Sequence, residues 1–385
     1  MKTVLIYRSM LLPISETFVL AQAKPLKRYR PRFAGIEISR PSLPLPSGSI
    51  LLVKDPPLWS RIRNKAFRSV DIAPLFYFRV RLTRPALLHA HFGRDGVMAL
   101  RLVRRLKVPF IVTLHGFDVT RRRDFAAFYG ELWKEATLFL CVSEFIRRKA
   151  IEAGFPEEKL RVHYIGIDCD YFARRSARAE ENLVLFVGRF TEKKGVAHLL
   201  RAMQIVQQEN PEVKLVLIGD GELRTELEAL RESLSVQCTF LGSQPSSVIR
   251  DWMERATVFC GPSVEAEDGD AEGLGLVFAE AQAMGTPVVS FRHGGIPEIV
   301  DDGVTGLLAP EGDHISLSRA ILRYIHDAEF REKSSAAAVA HVRKCANLMT
   351  QTAILEDIYD AVADGREVTQ AMCMPSHETP AMTPR

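Results

Sequence analysis

The stretch Glu272-Gly273-Leu274-Gly275-Leu276-Val277-Phe278-Ala279-Glu280-Ala281 holds two glutamates separated by seven residues, with a Gly-x-Gly turn directly after the first. Such a turn frees backbone N–H groups at the start of the helical pattern Val277–Met284, where the helix dipole favours a phosphate. Glu280 lies just over one turn into that helix, and helical side chains lean back toward the N-terminus. Glu272 stands in the loop ahead of it. The spacing can therefore offer one carboxylate to a sugar ring and the other to a ribose, with a diphosphate between them. A helix start with two unrelated surface glutamates would give the same letters, so the neighbouring clusters must decide.

Working outward, Val187-Gly188-Arg189-Phe190-Thr191-Glu192-Lys193-Lys194-Gly195 follows an apolar strand and precedes a helix. Arg189 and Lys194 on this glycine-bounded loop are suited to neutralising a diphosphate leaving group. The spacing of a triphosphate loop is absent. A third cluster, Thr113-Leu114-His115-Gly116-Phe117-Asp118, again closes a strand. A glycine after His115 lets the imidazole approach a ligand, and Asp118 can hold the loop or the ring.

Short apolar runs alternate with amphipathic ones along the rest of the chain. Strand-like runs are Thr3–Tyr7, Leu87–His91, Phe110–His115, Leu138–Val142 and Val162–Ile165, then Leu183–Val187, Lys214–Gly219, Thr239–Leu241, Thr257–Cys260 and Val288–Ser290. Helical patterns such as Val196–Gln208 and Glu222–Ser233 lie between them. Strands separated by helix-length segments imply βαβ units and parallel sheets. The polar, Ala- and Arg-rich stretch at 174–182 reads as a linker between two domains, 1–173 and 183–349. A helix over 350–364 follows, and 365–385 reads as a disordered tail. The expected fold class is α/β: two doubly wound, Rossmann-like domains facing across a cleft, with ligands at the carboxyl ends of the strands.

The 385 residues are 47% hydrophobic and 25% charged, which excludes collagen, coiled coil and wholesale disorder. Residues 1–180 carry 33 Lys and Arg against 16 Asp and Glu, a balance of +17, while the remainder carries 18 against 31, or −13. A basic half can serve an anionic substrate, a membrane surface or nucleic acid. No helix-turn-helix, zinc finger or aromatic RNA-stacking motif accompanies it, so nucleic acid is not expected. Six scattered cysteines without a Cys-x-x-Cys pair fit a reducing compartment. No run reaches the ~18–20 apolar residues of a membrane helix. The location expected is cytoplasmic, soluble or at most peripheral at the inner face of the cytoplasmic membrane.

Together these clusters resemble the retaining, nucleotide-sugar-dependent glycosyltransferases of GT-B architecture, glycosyltransferase family 4 (glycosyltransferase group 1), over roughly residues 1–362. Further matches are Ser15-Glu16-Thr17-Phe18, His89-Ala90-His91-Phe92-Gly93, Val142-Ser143-Glu144, Gly219-Asp220-Gly221-Glu222 and Gly294-Gly295-Ile296-Pro297-Glu298. The Ser-Glu-Thr-Phe start looks like members that build bacterial exopolysaccharide, such as colanic-acid-type enzymes. The resemblance implies a UDP- or GDP-sugar donor and a glycan or lipid-linked acceptor. It implies donor binding by Gly188, Arg189, Lys194, Gly219, Glu272, Gly273, Leu274, Gly275, Leu276, Val277 and Glu280. Arg189 and Lys194 would hold the diphosphate, Glu280 the ribose and Glu272 the transferred sugar. His115, Glu272, Arg189 and Lys194 would carry catalysis, with Ser15, Glu16, Thr17, His91 and Asp118 on the acceptor side. No metal or cofactor is expected.

Three features are set aside. Asp268-Gly269-Asp270 looks like the Asp-x-Asp of metal-dependent transferases but lacks calcium-loop spacing. Gly219-Asp220-Gly221 has Arg224 where a dinucleotide fingerprint needs its third glycine. His89 and His91 have no partners at metal-ligand spacing, and they read as acceptor-cleft or structural residues. Other enzyme and binding classes stay open beside the transferase: a nucleotide-sugar epimerase on the same frame, or a non-catalytic glycan- or nucleotide-binding relative. Family members often carry a Gly-Gly pair in the first strand–helix loop, where this chain has Leu11-Leu12-Pro13-Ile14-Ser15-Glu16-Thr17.

Overall fold

The computed structural model describes residues 1–13, 16–39, 42–52, 73–121, 124–175 and 182–373. Strands in the first half are β1 (Lys2–Tyr7), β2 (Met10–Leu11), β3 (Tyr29–Gly35), β4 (Glu37–Ile38), β5 (Ile50–Leu51), β6 (Leu87–His91), β7 (Phe110–Leu114), β8 (Leu138–Cys141) and β9 (Leu160–Val162). Seven of them form one parallel sheet in the order β5-β3-β1-β6-β7-β8-β9, and β2 pairs with β4. The second half holds β10 (Leu183–Val187), β11 (Lys214–Ile218), β12 (Cys238–Gly242), β13 (Val258–Cys260), β14 (Val288–Phe291) and β15 (Gly306–Ala309). These make a parallel sheet in the order β12-β11-β10-β13-β14-β15.

Both orders reverse direction once, at β1/β6 and at β10/β13. Loops diverge at such a point, and ligands enter there at the strands' carboxyl ends. The central strands are mostly apolar because helices cover both faces of each sheet. Those helices are α1 (Thr17–Ala23), α2 (Pro74–Leu82), α3 (Gly93–Leu106), α4 (Phe117–Thr120), α5 (Phe125–Glu135) and α6 (Glu144–Glu152) around the first sheet. Around the second lie α7 (Val196–Glu209), α8 (Arg224–Ser233), α9 (Ser246–Arg255), α10 (Leu276–Ala283), α11 (His314–His326) and α12 (Ala328–Cys345).

Two crossings join the halves side by side. Ile167 N donates to Ala346 O, and Leu348 N donates to Ile167 O at 2.9 Å, where α12 gives way to α13 (Leu348–Ala363). α13 then packs on the first sheet, its Ile354, Leu355, Ile358 and Tyr359 buried among Val4, Ile6, Tyr29 and Phe33. Glu356 accepts from the backbone N–H groups of Lys27, Arg28 and Tyr29, fastening the start of β3.

Besides adding β15 and the short strands β2, β4 and β5, the structure departs from the sequence expectations in three places. The strand expected at Val162–Ile165 runs instead over Leu160–Val162, because the chain beyond His163 turns into the crossing at Ile167. β3 was not expected, since Arg30, Pro31 and Arg32 interrupt its apolar pattern. β5 pairs only with Ala34 and Gly35, so Pro31 lies where the outer edge is open and a missing N–H is tolerated. Part of the tail expected to be disordered is docked: Val368 and Cys373 are buried, and Gln370 exchanges two hydrogen bonds with the Val162 backbone at 2.9 and 3.0 Å. This segment covers edge strand β9, which would otherwise expose unpaired backbone groups. Residues 374–385, and 176–181 of the expected linker, lie outside the described residues.

Candidate active site

The loops after β10 and β13 flank the second sheet's reversal point. Gly275, with φ of 82° in the left-handed region, ends the loop after β13 and starts α10. Glu272 in that loop is buried, and its carboxylate forms an ion pair with Lys194 Nζ from the loop after β10. Burial alone would raise its pKa, but the positive charges of Lys194 and Lys193 overcome this and hold it at about 2. His293 Nε2 accepts from Glu272 N at 3.3 Å, and its Nδ1 lies 2.9 Å from Glu311.

Glu280 contrasts with it. One turn into α10 and half-buried, its side chain has no hydrogen bond or ion pair among the described residues, and desolvation pushes its carboxyl up to about 8. The two carboxyls at the start of α10 thus differ in kind: one is a compensated anion, the other a poorly solvated acid without a donor. Arg189 is exposed at the mouth, and its charge reaches Glu16 of the other half, whose carboxyl burial raises against the pull of Arg8 and Arg189. Gly188 and Gly219 directly follow β10 and β11, with their backbones in close contact. Leu274 is 4% exposed and turned into the core, so it presents only backbone, while Leu276 and Val277 are half-buried.

The first sheet brings His115 against this centre. A Cβ on Gly273 would overlap the His115 carbonyl, so the two halves meet there backbone to backbone. Asp118 shapes the turn: its carboxylate accepts from His115 N and Gly93 N, both at 2.8 Å, and burial raises it to about 6. The His115 ring lies between Phe18 and Phe92, with centroids 4.8 and 4.4 Å away. Burial and the Arg8 charge push its pKa well below 6.5, so the imidazole is neutral at pH 7.

Two residues expected on the acceptor side face elsewhere. His91 is 1% exposed and stands behind His115, its Nδ1 3.2 Å from His115 Nε2, so it supports that ring rather than lining a surface. Asp118 is fully buried and acts on the backbone of its loop. Glu16 is held by Arg8, which also pairs with Asp95 and donates to the His91 carbonyl at 3.0 Å. Thr17 opens α1 and is exposed. Ser15 lies outside the described residues.

The sequence reading missed several organising residues. Arg8 was not among the expected site residues; a cation closing the apolar run Thr3–Tyr7 is the signal it leaves in the sequence, and the structure buries it. A cavity of about 200 Å³ beside it is lined by Arg8, Ser9, Phe92, Arg94, Asp95 and Phe117 among others. Ser143 Oγ donates to Gly273 O at 2.6 Å, and Glu298 accepts from Glu144 N and Phe145 N at 2.7 and 2.8 Å. The second half thereby caps α6 of the first, using α6's free N–H groups. The acidic loop also bridges the halves: Asp270 lies 3.1 Å from Lys193 and 3.5 Å from Arg121, which also reaches Asp268 at 3.1 Å. Among the described residues no group of three or more His, Cys, Asp or Glu is arranged to hold a metal ion.

Two doubly wound domains whose strand-end loops converge in this way are the GT-B glycosyltransferase architecture. The chain belongs to these glycosyltransferases: residues 21–171 match glycosyltransferase family 4 and residues 170–341 match glycosyl transferases group 1. It is 36% identical over 243 residues to the amylovoran biosynthesis glycosyltransferase AmsK of Erwinia amylovora, covering 60% of each chain. Over 246 residues it is 32% identical to the putative colanic acid biosynthesis glycosyltransferase WcaL of Salmonella typhimurium, covering 61% of this chain and 60% of the relative. The matched segment thus spans about 60% of the length of these curated relatives. Among solved structures, Anabaena HepE in complex with UDP is similar at TM-score 0.74 and 19% identity, covering 94% of this chain and 100% of that one. Sucrose-phosphate synthase from Thermosynechococcus elongatus is similar at TM-score 0.76 and 18% identity, covering 95% and 100%. At these identities the likeness is one of fold.

Proposed function

We propose that this chain is a retaining glycosyltransferase that moves a hexose from a UDP- or GDP-sugar to a glycan or lipid-linked oligosaccharide in surface polysaccharide synthesis. The observation that carries the reading is the pair of unlike carboxyls at the α10 N-terminus: Glu272 ionised against Lys194, and Glu280 raised to about 8 without a protein donor. A ribose diol would supply the donors that Glu280 lacks. The diphosphate would lie between them, over the α10 N-terminus, against Lys194 and Arg189. Glu272 would take hydroxyls of the transferred sugar, and neutral His115 would contact that sugar from the other half.

Transfer would then be a front-face displacement. The acceptor oxygen bonds to the anomeric carbon as the carbon–oxygen bond to the diphosphate breaks, and the acceptor proton passes to the departing diphosphate oxygen. Negative charge grows on the diphosphate, where fixed cations and a helix N-terminus stabilise it without a metal. The exopolysaccharide enzymes AmsK and WcaL support the pathway class, and the UDP complex of HepE supports a nucleotide-sugar donor. The basic first half supports an acceptor presented at an anionic membrane face on the cytoplasmic side. No helix among the described residues is long and apolar enough to cross a membrane.

The test is to incubate the full chain with labelled donor and lipid-linked glycan extract. Transfer that keeps the anomeric configuration supports the reading; donor turnover to an epimer without acceptor would replace it.

A further inference from the structure

We propose that the face built by α2 and the end of α3 docks on an anionic phospholipid bilayer. Leu75, Phe78 and Leu82 are 69%, 59% and 65% exposed, and their i, i+3, i+7 spacing sets them on one side of α2. Phe76 and Val80 are buried and hold the helix to the first sheet. Beside the exposed residues runs a groove of about 470 Å³, lined by Phe78, Leu82, Pro85, Leu106, Arg81 and Arg84 among others. Large apolar side chains grouped on an exposed face mark a contact surface.

Charge selects the occupant. Residues 73–108 hold eight Lys and Arg and one acid, Asp95, which is buried against Arg8. Arg79, Arg81, Arg84 and Lys107 have no carboxylate partner among the described residues. A second copy seated by two-fold symmetry would set these cations against themselves. A bilayer with anionic headgroups accepts both features, since the apolar side chains enter the interface and the arginines meet phosphate. The groove lies where the chain enters β6 and β7, at the end of the sheet opposite His115. Docking there leaves the cleft open. The inference rests on reading the basic half as facing an anionic surface, and is independent of the donor site.

The experiment is co-sedimentation of the full chain with phosphatidylcholine vesicles, with and without phosphatidylglycerol, at low and high salt. Phe78→Ser/Leu82→Ser and Arg81→Glu/Arg84→Glu are run beside the unaltered chain, with UDP-sugar thermal shift as readout of the donor site. The expected result is binding only to phosphatidylglycerol vesicles, weakened by salt, and lowered at least about tenfold in each variant. The thermal shift should be unchanged, which separates this surface from the transferase reading. Absence of binding, binding indifferent to salt and to both variants, or a variant that only converts a dimer to a monomer would overturn the proposal.

Discussion

Lys194 and Glu272 are ion-paired across the reversal point of the second sheet, joining the loop after β10 to the loop after β13. The pair fixes a cation and an anion where donor diphosphate and sugar are proposed to lie. Removing the lysine alone strands a buried carboxylate, which costs more than the bond itself. Lys194→Ala is therefore expected to lower stability by about 1–3 kcal/mol as well as donor affinity. The double variant Lys194→Ala/Glu272→Gln should lose less than the sum of the singles, by about 1 kcal/mol or more. Urea unfolding of the three variants measures this; strict additivity would deny the coupling.

Glu280 gives a dependence of opposite sign to an ordinary salt-bridged acid. Its folded carboxyl titrates at about 8, against about 4.3 when unfolded, because burial disfavours the anion. Between those values the folded state holds the extra proton, so this contribution to stability is complete at low pH and is lost as pH rises toward 8. Glu280→Gln should flatten the fall in urea midpoint between pH 5 and 8. An unchanged slope would show that Glu280 ionises normally.

Much of this arrangement was legible because strand-end motifs are local. Glu272 to Glu280, Gly188 to Lys194 and His115 to Asp118 each lie within ten residues; sheet order brings the first two to adjacent strand ends, and the third faces them from the other sheet. Relations that depend on distant partners were not legible. The burial of His91, the capping of α6 by Glu298 and the Lys193–Asp270–Arg121 bridge each need two elements whose meeting no short pattern records. β3 was hidden for another reason: its Arg30, Pro31 and Arg32 lie toward an open edge, where the apolar pattern relaxes. The docked residues Val368 to Cys373 look like tail composition because a few contacts suffice to hold them to β9.

Asp118 holds two backbone N–H groups from separate loops. Asp118→Asn would keep the shape but turn an NH2 toward one of those donors. A loss of about 1–3 kcal/mol is expected, together with reduced transfer, because the His115 loop loosens. Unfolding midpoints and transfer rate together check this; full activity at reduced stability would separate Asp118 from the site.

Asp268 and Asp270 are engaged by Arg121 and Lys193, so their charge is met by side chains rather than left for a cation. Chelator treatment is expected to leave donor binding unchanged, whereas Asp270→Ala should lower it by weakening the contact between the halves. Loss of binding on chelation, restored by a divalent cation, would assign the loop to a metal.

The most direct measurement is calorimetric titration of the full chain with UDP-, GDP- and ADP-sugars, alongside Glu280→Ala and Lys194→Ala. Saturable binding of a UDP- or GDP-sugar by the unaltered chain is expected, weakened about tenfold or more in each variant, through a lost hydrogen bond to the ribose for Glu280 and a lost cation beside the diphosphate for Lys194. Unaltered affinity in both variants would contradict the donor site described here.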